Sequence, residues 1–82
     1  MLPIEQIKST LLSVAVEKLA VGPGFAQDEV VLRETGQKLG AIGNTQYEQK
    51  ILDAWYGLFN DGTLTRGYNL SNPSYPFFHQ ST

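Results

Sequence analysis

Four polar side chains, Gln46, Gln49, Lys50 and Asp53, follow one another at i, i+3, i+4 and i+7, with Asn60 falling on the same side. On a helix this spacing gathers them on one face. Such a face could read bases in a DNA major groove. A glutamine amide offers a donor and an acceptor that match adenine, and a lysine ammonium reaches the acceptors of guanine. Arg66, on the strand expected after that helix, is the best single candidate for a phosphate contact. Gln46, Gln49, Lys50 and Arg66 therefore form a candidate nucleic-acid-binding set. The plain alternative is a solvated helix face. Residues 45–60 set one lysine against Glu48 and Asp53, a net charge of −1, whereas phosphate contact favours cations.

A second set is apolar. Tyr56 falls on the polar side of the same helix, and Tyr68, Leu70, Tyr75, Phe77 and Phe78 crowd the C-terminal stretch. Neighbours such as Phe77 and Phe78 point to opposite faces of a strand, so these groups cannot all enter one small core. Exposed apolar patches on a protein surface mark partner sites. Tyr56, Tyr68, Tyr75 and Phe78 are accordingly the candidate partner-binding residues, the partner being a second copy of the chain or another domain. The alternative is that the helices cover both sides of the hairpin.

Catalytic constellations are missing. His79 is the one histidine and there is no cysteine, so a His-rich metal cluster, a thiolate zinc site and a Cys/His pair are all unavailable. No serine lies in a G-x-S-x-G setting, and Gly22-Pro23-Gly24 lacks the third glycine and preceding strand of a dinucleotide fingerprint. No enzyme activity, cofactor, metal or small-molecule substrate is expected.

Eighty-two residues with a hydrophobic fraction of 41% and nine aromatics make a single domain, expected over 1–82. A chain of this size buries roughly 60% of its unfolded surface, so the core is thin. The net charge of −2 lacks the basic surplus usual in proteins that live on nucleic acid. The N-terminus has no basic start and only a short apolar run, and no stretch approaches the ~20 apolar residues of a membrane span. Together with the lack of cysteine this gives a cytoplasmic expectation.

The elements that must position these residues are three helices and a hairpin. Residues 3–21 carry Ile4, Ile7, Leu11, Val14 and Ala15 on one face, with Pro3 suited to a first turn and Lys18 able to lay its methylenes on the core. Gly22-Pro23-Gly24 stops that helix. Residues 27–41 predict a second helix, with Asp28 and Glu29 at its N-terminus and Val31, Thr35, Leu39 and Ile42 as its inward stripe. Gly36 weakens it, and "VVLRET" also suits a strand. Residues 45–60 are the clearest helix: Thr45 and Glu48 fit a capping box, and Tyr47, Ile51, Leu52, Ala54, Trp55, Leu58 and Phe59 share a broad apolar arc. Residues 63–80 read as a two-stranded hairpin turning at Ser71–Tyr75, with Asn72 and Pro73 as the turn's first two residues. The expected core is Ile4, Ile7, Leu11, Val14, Val31, Leu39, Ile51, Leu52, Trp55, Leu58, Leu64 and one or both of Phe77 and Phe78.

This order, with Ile51-Leu52, Trp55 and "GLFNDGTLTRGYN" ending the last helix in an apolar residue, a short polar pair, a glycine and a strand, resembles the winged-helix domain, a helix-turn-helix variant. The resemblance covers nearly the whole chain. It implies an α+β, mainly α fold, residues 45–60 as recognition helix, residues 63–80 as wing, and DNA binding in transcription regulation. Two departures stand out. The small strand the family places between its first two helices would fall near Phe25, where no strand is legible. The wing tip carries no lysine or arginine, unlike wings that grip DNA. A protein-interaction module on the same fold, without DNA binding, is the alternative.

Overall fold

Apolar periodicity places three helices around one small core, and a short antiparallel sheet closes it from the C-terminal side. The computed structural model describes residues 1–21 and 26–82, as α1 (Ile4–Val21), β1 (Ala26–Gln27), α2 (Asp28–Lys38), α3 (Thr45–Asn60), β2 (Leu64–Arg66) and β3 (Phe77–Gln80). The class is α+β and mainly helical, as expected. Among the described residues no helix is long and apolar enough to cross a membrane. The stop expected at Gly22-Pro23-Gly24 lies outside the described residues.

The sheet corrects the sequence reading: it has three strands in the order β1-β3-β2, not two. β1 pairs antiparallel with β3 through Ala26↔Phe78 and Gln27↔Phe77, and the Asp28 amide extends the ladder to the Pro76 carbonyl at 3.1 Å. Two residues are too few for a period-2 pattern, so local sequence could not reveal this strand.

α2 is shorter than the 27–41 expected. It ends in a Schellman motif: Ala41 N–H reaches Gly36 O at 2.9 Å and Gly40 N–H reaches Gln37 O at 3.2 Å, with Gly40 in the left-handed region at φ 65°. Ile42 therefore leaves the helical stripe and stands exposed, while Ala41 enters the core. The start of α3 also shifts by one residue. Asn44, not Thr45, is the N-cap, its side-chain oxygen accepting from Tyr47 N–H at 3.1 Å, while Glu48 Oε2 accepts from Gly43 N–H at 3.1 Å. The reciprocal logic of a capping box survives in displaced form.

The core joins Ile7, Leu11, Val14 and Ala15 of α1 to Val31 of α2, to Ile51, Ala54, Trp55 and Leu58 of α3, and to Leu64 and Phe78 of the sheet. Trp55 meets Phe59 and Phe78 edge-on, each at 5.1 Å between ring centroids, the geometry aromatic quadrupoles prefer. Ile4 and Leu52 depart from the expected core. Ile4 opens the first turn of α1, Leu52 sits at the margin of the α3 arc, and both are exposed.

Candidate functional site

Gln46, Gln49 and Asp53 are exposed along α3, with Tyr56 and Asn60 continuing the outward row and Lys50 half-buried beside it. The helix does gather the polar set on one side.

Arg66 lies elsewhere in the chemistry. Its Nη1 donates to Asp28 Oδ1 at 2.6 Å, and its guanidinium lies 4.1 Å over the Phe59 ring and 5.7 Å from that of Tyr75. Asp28 keeps only 2% of its surface exposed and takes a second hydrogen bond, from Trp55 Nε1 at 2.9 Å. The carboxylate thus gathers α2, α3 and β2 at one point. A buried carboxylate with one charged and one neutral donor holds them firmly, because removing it leaves the Trp55 N–H buried and unpaired and Arg66 without its counter-ion. The residue expected to touch phosphate is engaged inside the fold.

Four of the other five cations are paired nearer the surface. Lys8 pairs with Asp61 at 3.5 Å, Lys18 with Glu34 at 2.8 Å, Lys38 with Glu34 at 3.8 Å, and Arg33 with Glu29 one helical turn earlier. Of the six lysines and arginines, Lys50 alone has no ion-pair partner among the described residues. The hydrogen bond from Lys18 lowers the pKa of the Glu34 carboxyl and raises that of the lysine ammonium. Asp61 is lowered by hydrogen bonds from the Thr63 hydroxyl, at 2.6 Å, and the Thr63 amide, at 3.0 Å.

The expected partner residues divide. Tyr56, Tyr68 and Tyr75 are exposed. Phe78, expected as a partner contact, has no exposed surface and belongs to the core. β3 is the central strand, and Phe78 sits at the position facing the Trp55 and Phe59 rings. His79 is tied to the Gly67 carbonyl at 2.7 Å through Nδ1.

The tip of the β2–β3 connection also differs from the sequence reading. The reversal falls at Asn69–Asn72, two residues before the expected turn, because the Asn69 carboxamide caps it: Oδ1 accepts from the amides of Ser71 at 3.0 Å and Asn72 at 2.8 Å. Gly67 anchors its base. At φ 94° it occupies a region that disfavours side chains, and a Cβ there would lie 2.5 Å from the Pro73 carbonyl oxygen. Leu70, at the apex, is fully exposed at 100%.

Sequence reasoning did not find the open cleft of about 490 Å³ between α2 and α3. Leu32, Ile42, Ile51, Leu52 and Tyr75 supply its apolar lining, and Glu29, Arg33 and Glu48 its charged groups. The signal was the very breadth of the α3 apolar arc: a face wider than the core beneath it leaves Leu52 over. No family model, curated protein or solved structure gives a match to this chain.

Proposed function

We propose that this chain is a protein-interaction module built on a winged-helix-like arrangement, with Tyr56 of α3 and Tyr68, Leu70 and Tyr75 of the wing as its contact surface. The helix, strand, helix, helix, strand, strand order, with β1 beside β3, supports the winged-helix resemblance. One observation carries the choice of function: five of the six lysines and arginines lie in ion pairs within the chain, while large apolar groups stand uncovered on the wing. Nucleic-acid affinity rests on cations free to displace counterions from phosphates. Aromatic and aliphatic anchors with a polar surround are what protein interfaces use. A cytoplasmic setting is part of this reading.

A second reading has its own observation. Gln46 and Gln49 are open to solvent beside Lys50, which has no ion pair among the described residues. On that reading α3 enters a major groove and the module acts in transcription regulation. Titration of labelled duplex DNA at low and moderate salt separates the two. The interaction reading expects no binding even at low salt. Affinity that falls steeply with rising salt and drops further in Lys50→Ala would overturn it in favour of DNA binding.

A further inference from the structure

Leu70 is held out on a braced support. Asn69 Oδ1 accepts hydrogen bonds from the backbone amides of Ser71 and Asn72, Tyr68 N–H donates to Asn72 O at 2.8 Å, and Gly67 N–H donates to Phe77 O at 2.8 Å. Gly67 packs against the Pro73 backbone too closely for any side chain. A leucine left wholly in water at the apex of such a loop is a preorganised apolar finger, with little ordering entropy still to lose on docking. The finger is also uncharged: residues 67–78 contain no Asp, Glu, Lys or Arg.

The chain carries a receptor of matching chemistry. The cleft between α2 and α3, at about 490 Å³, falls within the roughly 300–1,000 Å³ of small-molecule pockets and so has room for a leucine side chain. Its charged lining leaves no demand for an ionic partner, since Glu29 and Arg33 already pair with each other and Glu48 accepts from the Gly43 amide. An uncharged finger can enter without stranding a buried ion.

Finger and cleft meet in one residue. Tyr75 lines the cleft and lies only five positions beyond Leu70 in the same loop, so their Cα atoms are within about 17 Å of each other. An isologous two-fold contact needs a plug and a socket on the same chain, so that residue i meets j and j meets i. Building on the interaction reading, we infer that the partner of this surface is a second copy of this chain, with Leu70 of each copy seated in the α2–α3 cleft of the other.

Such a contact belongs to the small transient class, below about 1,200 Å² in total, against a chain surface of 4907 Å². Sedimentation velocity from about 10 μM to about 1 mM brackets the affinity such interfaces have. Wild type, Leu70→Ser, Ile42→Glu and an equimolar mixture of the two variants are compared, with amide spectra confirming that each is folded. Leu70 is fully exposed, so its replacement leaves the fold intact. The wild type is expected to dimerise with concentration, and each variant alone to weaken the dimer at least about tenfold. The mixture is expected to regain part of the association, because a mixed pair keeps one intact finger in one intact cleft. A monomeric wild type, a Leu70→Ser protein that dimerises unchanged, or a mixture no tighter than its components would overturn the pairing. A monomer that ignores duplex DNA sinks self-pairing alone; a monomer that binds DNA with a steep salt dependence sinks the interaction reading as well.

Discussion

Trp55 donates its indole N–H to Asp28 Oδ2 at 2.9 Å, so the largest core side chain and the first residue of α2 share one buried hydrogen bond. The other carboxylate oxygen holds Arg66, which in turn lies over Phe59. Three elements separated in sequence are thereby fixed to one carboxylate, and β2 is held against α3 at that point.

Asp28→Ala should therefore be costly. It leaves the Trp55 N–H buried without an acceptor and the Arg66 guanidinium without its counter-ion, a loss of about 3 kcal/mol. A domain of this size has only about 5–10 kcal/mol in total. Trp55→Phe keeps an aromatic ring in place and removes only the donor, for about 1–2 kcal/mol plus a small cavity. Urea unfolding followed by far-UV circular dichroism measures both. The double variant should cost less than the two losses added together, because they share one interaction. Strict additivity would show that the bond carries no stability.

The helix start offers a second measurement. Asn44→Ala removes the side chain that accepts from the Tyr47 amide and should lower stability by about 1 kcal/mol. Thr45→Ala changes a residue already inside α3, exposed, and should move the unfolding midpoint by less than about 0.5 kcal/mol equivalent. Equal losses at both positions would restore Thr45 as a capping residue.

These residues also show how far local pattern carries. The helix around Trp55 was legible because seven apolar positions repeat at helical spacing over 16 residues, and its burial follows from that face. The cap was legible only to within one residue, since Asn44 and Thr45 are both good caps and tertiary placement chooses between them. Asp28 read as a helix-dipole acid, and Arg66 as a free cation. Their partnership spans 38 positions and cannot be seen in any local window. Tyr75 and Leu52 line one cleft for the same non-local reason, which is why one was expected as surface and the other as core. Local signal gave the elements; the site arises where they close on one another.

Thr35 supplies a stabilising change. Its side chain is fully buried in α2, and its hydroxyl has no hydrogen-bond partner among the described residues. An unsatisfied buried polar group costs about 1–3 kcal/mol, and valine has the same branched shape without the oxygen. Thr35→Val should raise stability by about 1 kcal/mol, measured as a higher urea midpoint with unchanged slope. A lower midpoint would mean that the hydroxyl finds a partner in solution.

Acid and alkali should destabilise the fold through different groups. Glu34 and Asp61 both have carboxyl pKa values lowered in the folded state, Glu34 first by its bond from Lys18 and Asp61 first by its bond from the Thr63 hydroxyl. The unfolded chain therefore takes up protons more readily. The stability these groups contribute is complete above the ordinary carboxylate range, near pH 4–5, and is lost as pH falls through the lowered values. Lys18 has the opposite sign. Its pKa is raised, so its contribution is complete below the ordinary lysine value, near pH 10, and is lost as pH climbs through the raised one. Melting temperature plotted against pH should show a plateau between these limits. Glu34→Gln should flatten both limbs, because one bond shifts both groups, while Asp61→Asn should flatten the acid limb alone. Since all three groups are at the surface, high salt should shrink the two limbs toward the variants' profiles. An acid limb of full height in both variants would assign acid unfolding to other carboxylates.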